Sequence, residues 1–166
     1  MKKERGAGSG TGRDRVISDA DKAGMAYALD WAKLAGSLGE VPVGAVVTLA
    51  GEVIAGAHNE MAGLTDPTAH AELLAVQRAL RIQGTDRLTD CTLYVTLEPC
   101  GQCAGAIVLA KVGRVVFGAY DDKAGMAGSV GDLLRHARLN HNPEVIGGVE
   151  EKESARLLRA FFTARR

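Results

Sequence analysis

The chain has 166 residues, enough for one domain with a tail, and its 46% apolar content can fill a single core. It carries 20 Lys and Arg against 20 Asp and Glu, and this zero net charge counts against a strong, non-specific nucleic-acid binder. No apolar run is long enough to span a bilayer, so no membrane association is expected, and three cysteines, an odd number, argue against a disulfide framework.

Met1-Lys2-Lys3-Glu4-Arg5 is charged but leads into Gly and Ser, so no secretory signal is expected and the cytoplasm is the default compartment. Residues 1–17, rich in Gly, Lys and Arg, read as a disordered tail or an expression remnant, and residues 18–166 as the domain. Ser18 or Asp19 caps a first helix, in which Tyr27, Trp31, Leu34 and Leu38 recur at helical spacing and which Gly39 stops. Val43 to Leu49 and Glu52 to Ala57, around Ala50-Gly51, read as a hairpin. Asp66-Pro67-Thr68 starts a helix that continues from Ala71 to Ile82 and ends at Gly84. Cys91 to Leu97 is a buried strand, and Pro99 opens a helix to about Lys111. Arg114 to Gly118 is a strand, followed by a Gly-rich loop holding Asp121, Asp122, Gly125 and Gly128. A short helix over Leu133 to Ala137, a strand over Val145 to Val149 and a last helix over Lys152 to Thr163 complete the chain. The order α-β-β-α-β-α-β-α-β-α predicts an α/β fold: a mixed five-stranded sheet with helices on both faces.

The chemistry lies in His70-Ala71-Glu72 and Pro99-Cys100-Gly101-Gln102-Cys103. His70, Cys100 and Cys103 supply three zinc ligands, one Zn2+ per chain, and three ligands leave the open position that a catalytic zinc keeps for water. Glu72 is not needed to hold metal and reads as a proton shuttle. The pattern H-x-E…P-C-x-x-C is the signature of zinc deaminases acting on bases. All three ligands sit at predicted helix starts, whose partial positive charge favours thiolate. His70 and Glu72, two apart, would diverge in mid-helix, so the expectation requires both to act over the helix end. Such a site makes hydroxide at neutral pH, which attacks a ring carbon bearing an amino group while Glu72 relays the protons. Cys91, in an apolar strand, reads as core.

Charge is segregated at the end of the chain: Glu150-Glu151-Lys152-Glu153 is acidic, whereas Arg156, Arg159, Arg165 and Arg166 follow with no acid among them. Several segments resemble bacterial tRNA adenosine deaminases of the cytidine deaminase-like superfamily. They are Val41 to Val46, Asn59, Asp66 to Glu72, Leu93 to Cys100, Gly113 to Ala119 and Phe161 to Arg166. The resemblance covers about residues 20–166. It implies a three-layer α/β/α fold and hydrolytic deamination of the wobble adenosine of a tRNA to inosine. It also implies a homodimer, with the tRNA anticodon loop splayed into the site. It assigns His70, Cys100 and Cys103 to zinc and Glu72 to acid–base work. Asn59 and the backbone near Ala71 would hold the base, and Val41 and Pro42 would wall the pocket. Asp121 would meet the flanking nucleotide, and Phe162 and Arg165 the RNA. Three positions depart from the family pattern: Gly101-Gln102 between the cysteines, Tyr120 before Asp121, and the Ala50-Gly51 turn. A deaminase of free nucleobases shares the zinc site, and a catalytically dead RNA-binding subunit would have no use for Glu72.

Overall fold

The structure, a computed structural model, describes residues 17–166, so the expected tail over residues 1–16 lies outside the described residues. Ile17 packs, half-buried, against a core cluster. Helix α1 spans Asp19–Ser37, with Ser18 Oγ accepting from the Asp21 N–H at 3.1 Å as its cap. Its buried face is not the expected stripe of large residues. Tyr27, Leu34 and Leu38 are 55%, 44% and 61% exposed, while Gly24, Met25, Ala28, Leu29, Ala32 and Ala35 face the sheet. The reason is how closely the helix approaches: a Cβ on Gly44 would stand 2.1 Å from the Ala28 carbonyl oxygen. At that crossing the helix presents Ala28 and Ala32, while Met25 and Leu29 pack to its sides.

Strands β1 (Gly44–Leu49) and β2 (Glu52–His58) form the hairpin. Its turn puts both Ala50 (φ 51°) and Gly51 (φ 81°) in the left-handed region, the twist a two-residue hairpin favours. A four-residue helix that the sequence did not suggest, α2 (Met61–Leu64), follows. The carboxylate of buried Glu40 holds it by accepting from the Ala62 N–H at 3.1 Å and the Gly63 N–H at 2.6 Å. Then come α3 (Ala71–Gln83), β3 (Cys91–Leu97), α4 (Gly101–Leu109), β4 (Arg114–Ala119), β5 (Glu144–Ile146) and α5 (Glu151–Ala164).

Residues 133–137 form turns, not the expected helix. The Asn142 side-chain amide donates to the Leu134 and His136 carbonyls, acceptors that a helix would have needed. Leu134 is meanwhile sunk in the core, which fixes the loop without helical repeats.

The strand order is β2-β1-β3-β4-β5, with β1 antiparallel to β2 and β3, and β3, β4 and β5 parallel. Alternation along the strands divides the core. Val47, Leu93, Val95, Val115 and Phe117 belong to the cluster shared with α3 and α4. Val46, Tyr94, Val116 and Ile146 face the other way, toward α1 and α5. This is the expected three-layer α/β/α arrangement. Among the described residues no helix is long and apolar enough to cross a membrane.

One polar contact crosses the α1 layer. Asp21, 2% exposed, accepts from Tyr94 Oη at 3.0 Å and from two Arg114 nitrogens at 2.6 and 2.7 Å. The Arg114 hydrogen bonds hold the Asp21 carboxyl below its ordinary 3.8, against the opposing effect of burial. A depressed folded-state pKa contributes stability above the unfolded value and loses it as pH falls. Asp21→Asn is expected to cost about 1–3 kcal/mol at pH 7, because it removes the charge and one of the two acceptor oxygens that Arg114 uses, and the gap should shrink below pH about 4. Denaturant unfolding at pH 7 and pH 3 checks this; an equal gap at both would contradict it.

Candidate active site

Because β1 is antiparallel to both neighbours, β2, β3 and β4 all run the same way. Their carboxyl ends deliver Asn59, Glu98 and Asp121 to one sheet edge, where Val41 and Val43 lead into β1. Crevices outside such strand ends are the usual sites of α/β sheets. A pocket of about 180 Å3 opens there, lined by Val41, Val43, Asn59, Met61, His70 and Glu72, together with Leu97, Glu98, Cys100, Asp121 and Ala124.

His70 is the N-cap of α3 (φ −81°, ψ 147°) and Cys100 the N-cap of α4 (φ −76°, ψ 179°), each just before the first turn in which it was expected. Their extended backbones throw both side chains off the helix ends. That resolves the two-residue spacing: Glu72 Oε1 lies 3.8 Å from His70 Nδ1. The same Nδ1 is 3.5 Å from Cys100 Sγ and 3.5 Å from Cys103 Sγ. The three donor atoms lie within 4.8 Å of one another, and no fourth His, Cys, Asp or Glu joins the group among the described residues. This cluster can hold a metal ion.

Charge is shared unequally between the two thiols of this cluster. Hydrogen bonds from Cys103 and His70 hold the Cys100 thiol down to about 3, against burial. The bond to Cys100, and then burial, push the Cys103 thiol far above the ordinary range. His70 is raised, chiefly by its hydrogen bond to Cys100, with Glu72 adding to the effect against burial. Glu72, 5% exposed, is pushed up to about 7 by burial, while Cys103 and His70 pull it back. A carboxyl titrating there can both take and give a proton at neutral pH.

Asn59 is buried, and its Oδ1 accepts from the Ala71 N–H at 2.8 Å. That donor fixes the amide orientation and leaves Nδ2 for the pocket. The same bond ties the backbone at Ala71 to Asn59 beside the pocket. Pro42 is buried but does not line the pocket. Its Cβ would lie 3.5 Å from a side chain on Gly36, so it backs the wall against α1. Asp121 lines the pocket, its Oδ1 accepting from the Lys123 N–H at 3.0 Å and the Ala124 N–H at 3.3 Å.

Phe162 and Arg165 stand outside the lining. Phe162 is 50% exposed and meets Phe161 edge-on at 5.3 Å. The Arg165 guanidinium lies 3.5 Å over the Phe161 ring and donates to the Gly39 carbonyl at 3.3 Å, two residues from the pocket wall at Val41.

Glu98 was not among the expected site residues, although an acid between a buried strand and a Pro-Cys helix start is an unusual sequence feature. Its carboxylate is 2% exposed and accepts from the backbone N–H groups of Asp121, Ala127 and Ser129 at 3.1, 3.0 and 3.1 Å, and from Ser129 Oγ. It thereby pins the Gly-rich loop that forms one side of the pocket. A Cβ at Gly125 would fall 2.3 Å from that carboxyl, so the loop needs glycine there. Glu98→Ala leaves three amides without an acceptor, each costing about 1–3 kcal/mol, so hydrogen exchange at Asp121, Ala127 and Ser129 should speed by about tenfold or more. Unchanged protection would contradict the pinning.

The MafB19-like deaminase family model matches residues 19–166. The chain is 49% identical over 142 residues to the tRNA-specific adenosine deaminase of Bacillus subtilis (strain 168), covering 86% of this chain and 88% of that one. It is 44% identical over 142 residues to the tRNA-specific adenosine deaminase of Agrobacterium fabrum (strain C58), covering 86% and 93%. A solved structure from work on A-to-I editing by tRNA:A34 deaminases at the wobble position of transfer RNA superposes with a TM-score of 0.76. Identity to that structure is 41%, covering 82% of this chain and 99% of that one.

Proposed function

We propose that this chain, which belongs to the MafB19-like deaminase family and, at 44–49% identity, to the tRNA-specific adenosine deaminases, converts the wobble adenosine of a tRNA to inosine. The observation that carries the reading is a buried Glu72 carboxyl 3.8 Å from the imidazole of a His/Cys/Cys donor set at the pocket. The reaction is a hydrolysis with no change of oxidation state: the C6–N bond of adenine breaks, a C6–O bond forms from water, and ammonia leaves.

His70, Cys100 and Cys103 would hold one Zn2+ per subunit. Tetrahedral bonds of about 2.3 Å to sulfur and about 2.0 Å to nitrogen require N···S separations near about 3.5 Å, the spacing His70 Nδ1 has from both sulfurs. When bound, zinc supplies an activated water at neutral pH by acting as a Lewis acid. Glu72 takes a proton from the attacking water and passes it to the ring nitrogen, then takes the proton of the new C6 hydroxyl and passes it to the departing amine, so that ammonia leaves as the C6 carbonyl forms. Asn59 Nδ2 donates to a ring nitrogen acceptor, and Val41 and Val43 give the base an apolar wall. Asp121, on the pinned loop, meets the flanking nucleotide. Phe162 stacks on an unpaired base, and Arg165 meets phosphate beside the Val41 flank.

The same reading includes a cytoplasmic protein with one domain over residues 18–166, working as a homodimer on the anticodon loop.

Glu72→Ala should lower kcat by about 10²–10⁴-fold while zinc content and RNA binding stay at wild-type levels. Ammonia release, elemental analysis and a gel-shift titration measure the three; deamination at the normal rate would remove Glu72 from the mechanism.

A further inference from the structure

Gln102, between the two cysteines, has no part in any step above. Its side-chain Nε2 lies 3.0 Å from the Thr68 carbonyl oxygen and 3.8 Å from Cys103 Sγ. A carbonyl and a deprotonated sulfur are both acceptors, and an amide nitrogen carries two protons, so chemistry requires the nitrogen, not the oxygen, to face them. The same Thr68 carbonyl accepts the His70 backbone N–H at 2.8 Å. Thr68 is itself fixed by Asp66 Oδ1, which accepts from its N–H at 2.8 Å and its hydroxyl at 2.7 Å. A continuous chain of contacts therefore runs from Asp66 through Thr68 and Gln102 to Cys103. It joins the segment that carries the imidazole to a sulfur on the other helix.

We propose that Gln102 is a positioning residue for the metal: its two amide protons strap the two ligand-bearing helix starts together and place an N–H···S hydrogen bond on the Cys103 thiolate. The inference rests on the zinc reading above. Partners outside the ligand set orient ligands and tune their charge, and losing one typically weakens metal binding by about 10–100-fold. The Gln102 amide is solvent-exposed, which puts the effect at the lower end, about tenfold. The bond to sulfur also draws charge from the thiolate, and that part is visible independently of affinity or turnover.

The test uses the full chain carrying Gln102→Met, which keeps length and flexibility but has no proton to donate, and Gln102→Glu, which sets a third acceptor against the carbonyl and the sulfur. Zinc affinity is read by chelator competition. The sulfur-to-metal charge-transfer band is read after substitution with Co2+. Gln102→Met should bind zinc about tenfold more weakly and Gln102→Glu more weakly still. The cobalt band of Gln102→Met should move to lower energy, and the thermal midpoint of its metal-free form should stay at the wild-type value. Wild-type zinc affinity in both variants would overturn the strap, and weaker affinity with an unmoved cobalt band would overturn the bond to sulfur. A wild-type protein that takes up no stoichiometric zinc would instead sink the metal reading itself, before any variant is compared.

Discussion

Three donor atoms from two different helix starts have to stay within a few ångströms of one another, and much of this molecule is arranged to keep them there. The arrangement costs stability. N-caps favour Ser, Thr, Asp or Asn, which bond the first free amides of the helix, and losing such a cap costs about 1 kcal/mol. Here the caps of α3 and α4 are His70 and Cys100, and neither makes a side-chain capping bond. Asn59 partly offsets the loss from outside, by accepting the Ala71 N–H. The positive end of α4 meanwhile favours the anionic sulfur beside it.

A second regularity follows from the topology. Everything that shapes the pocket comes off the same sheet edge, and the segments without regular structure are held there by buried carboxylates bonded to backbone amides. Glu98 does this for the Gly-rich loop, and Glu40 for the short helix that brings Met61 to the pocket. Each acid satisfies amides that a loop cannot pair internally, so the loop behaves as a rigid wall.

The site was far more legible in the sequence than its surroundings. Imidazole and thiolate ligands have few alternative uses in this pattern, so His70, Glu72, Cys100 and Cys103 stood out from spacing alone. The hairpin, α3, β3 and β4 were readable because period and punctuation agreed. The inward face of α1 was not, because the distance between helix and sheet is set by glycines on both sides, Gly24 on the helix and Gly44 and Gly56 on the strands, and small residues at such crossings carry no apolar periodicity. The turns at 133–137 look helical until Asn142, several residues on, takes their carbonyls. Pro42 was expected to wall the pocket, whereas it stands behind the wall. Roles of this kind depend on which way a group points, and one-dimensional patterning does not record that.

The central claim is that this donor set and Glu72 deaminate an adenine presented by RNA. The most direct measurement incubates the zinc-containing protein with an anticodon stem-loop carrying adenosine at the wobble position, then digests the RNA and quantifies its nucleosides. The account predicts one inosine per RNA molecule, and none when that adenosine is replaced by another base. An RNA left unchanged by protein that readily deaminates a free nucleobase or nucleoside would contradict it.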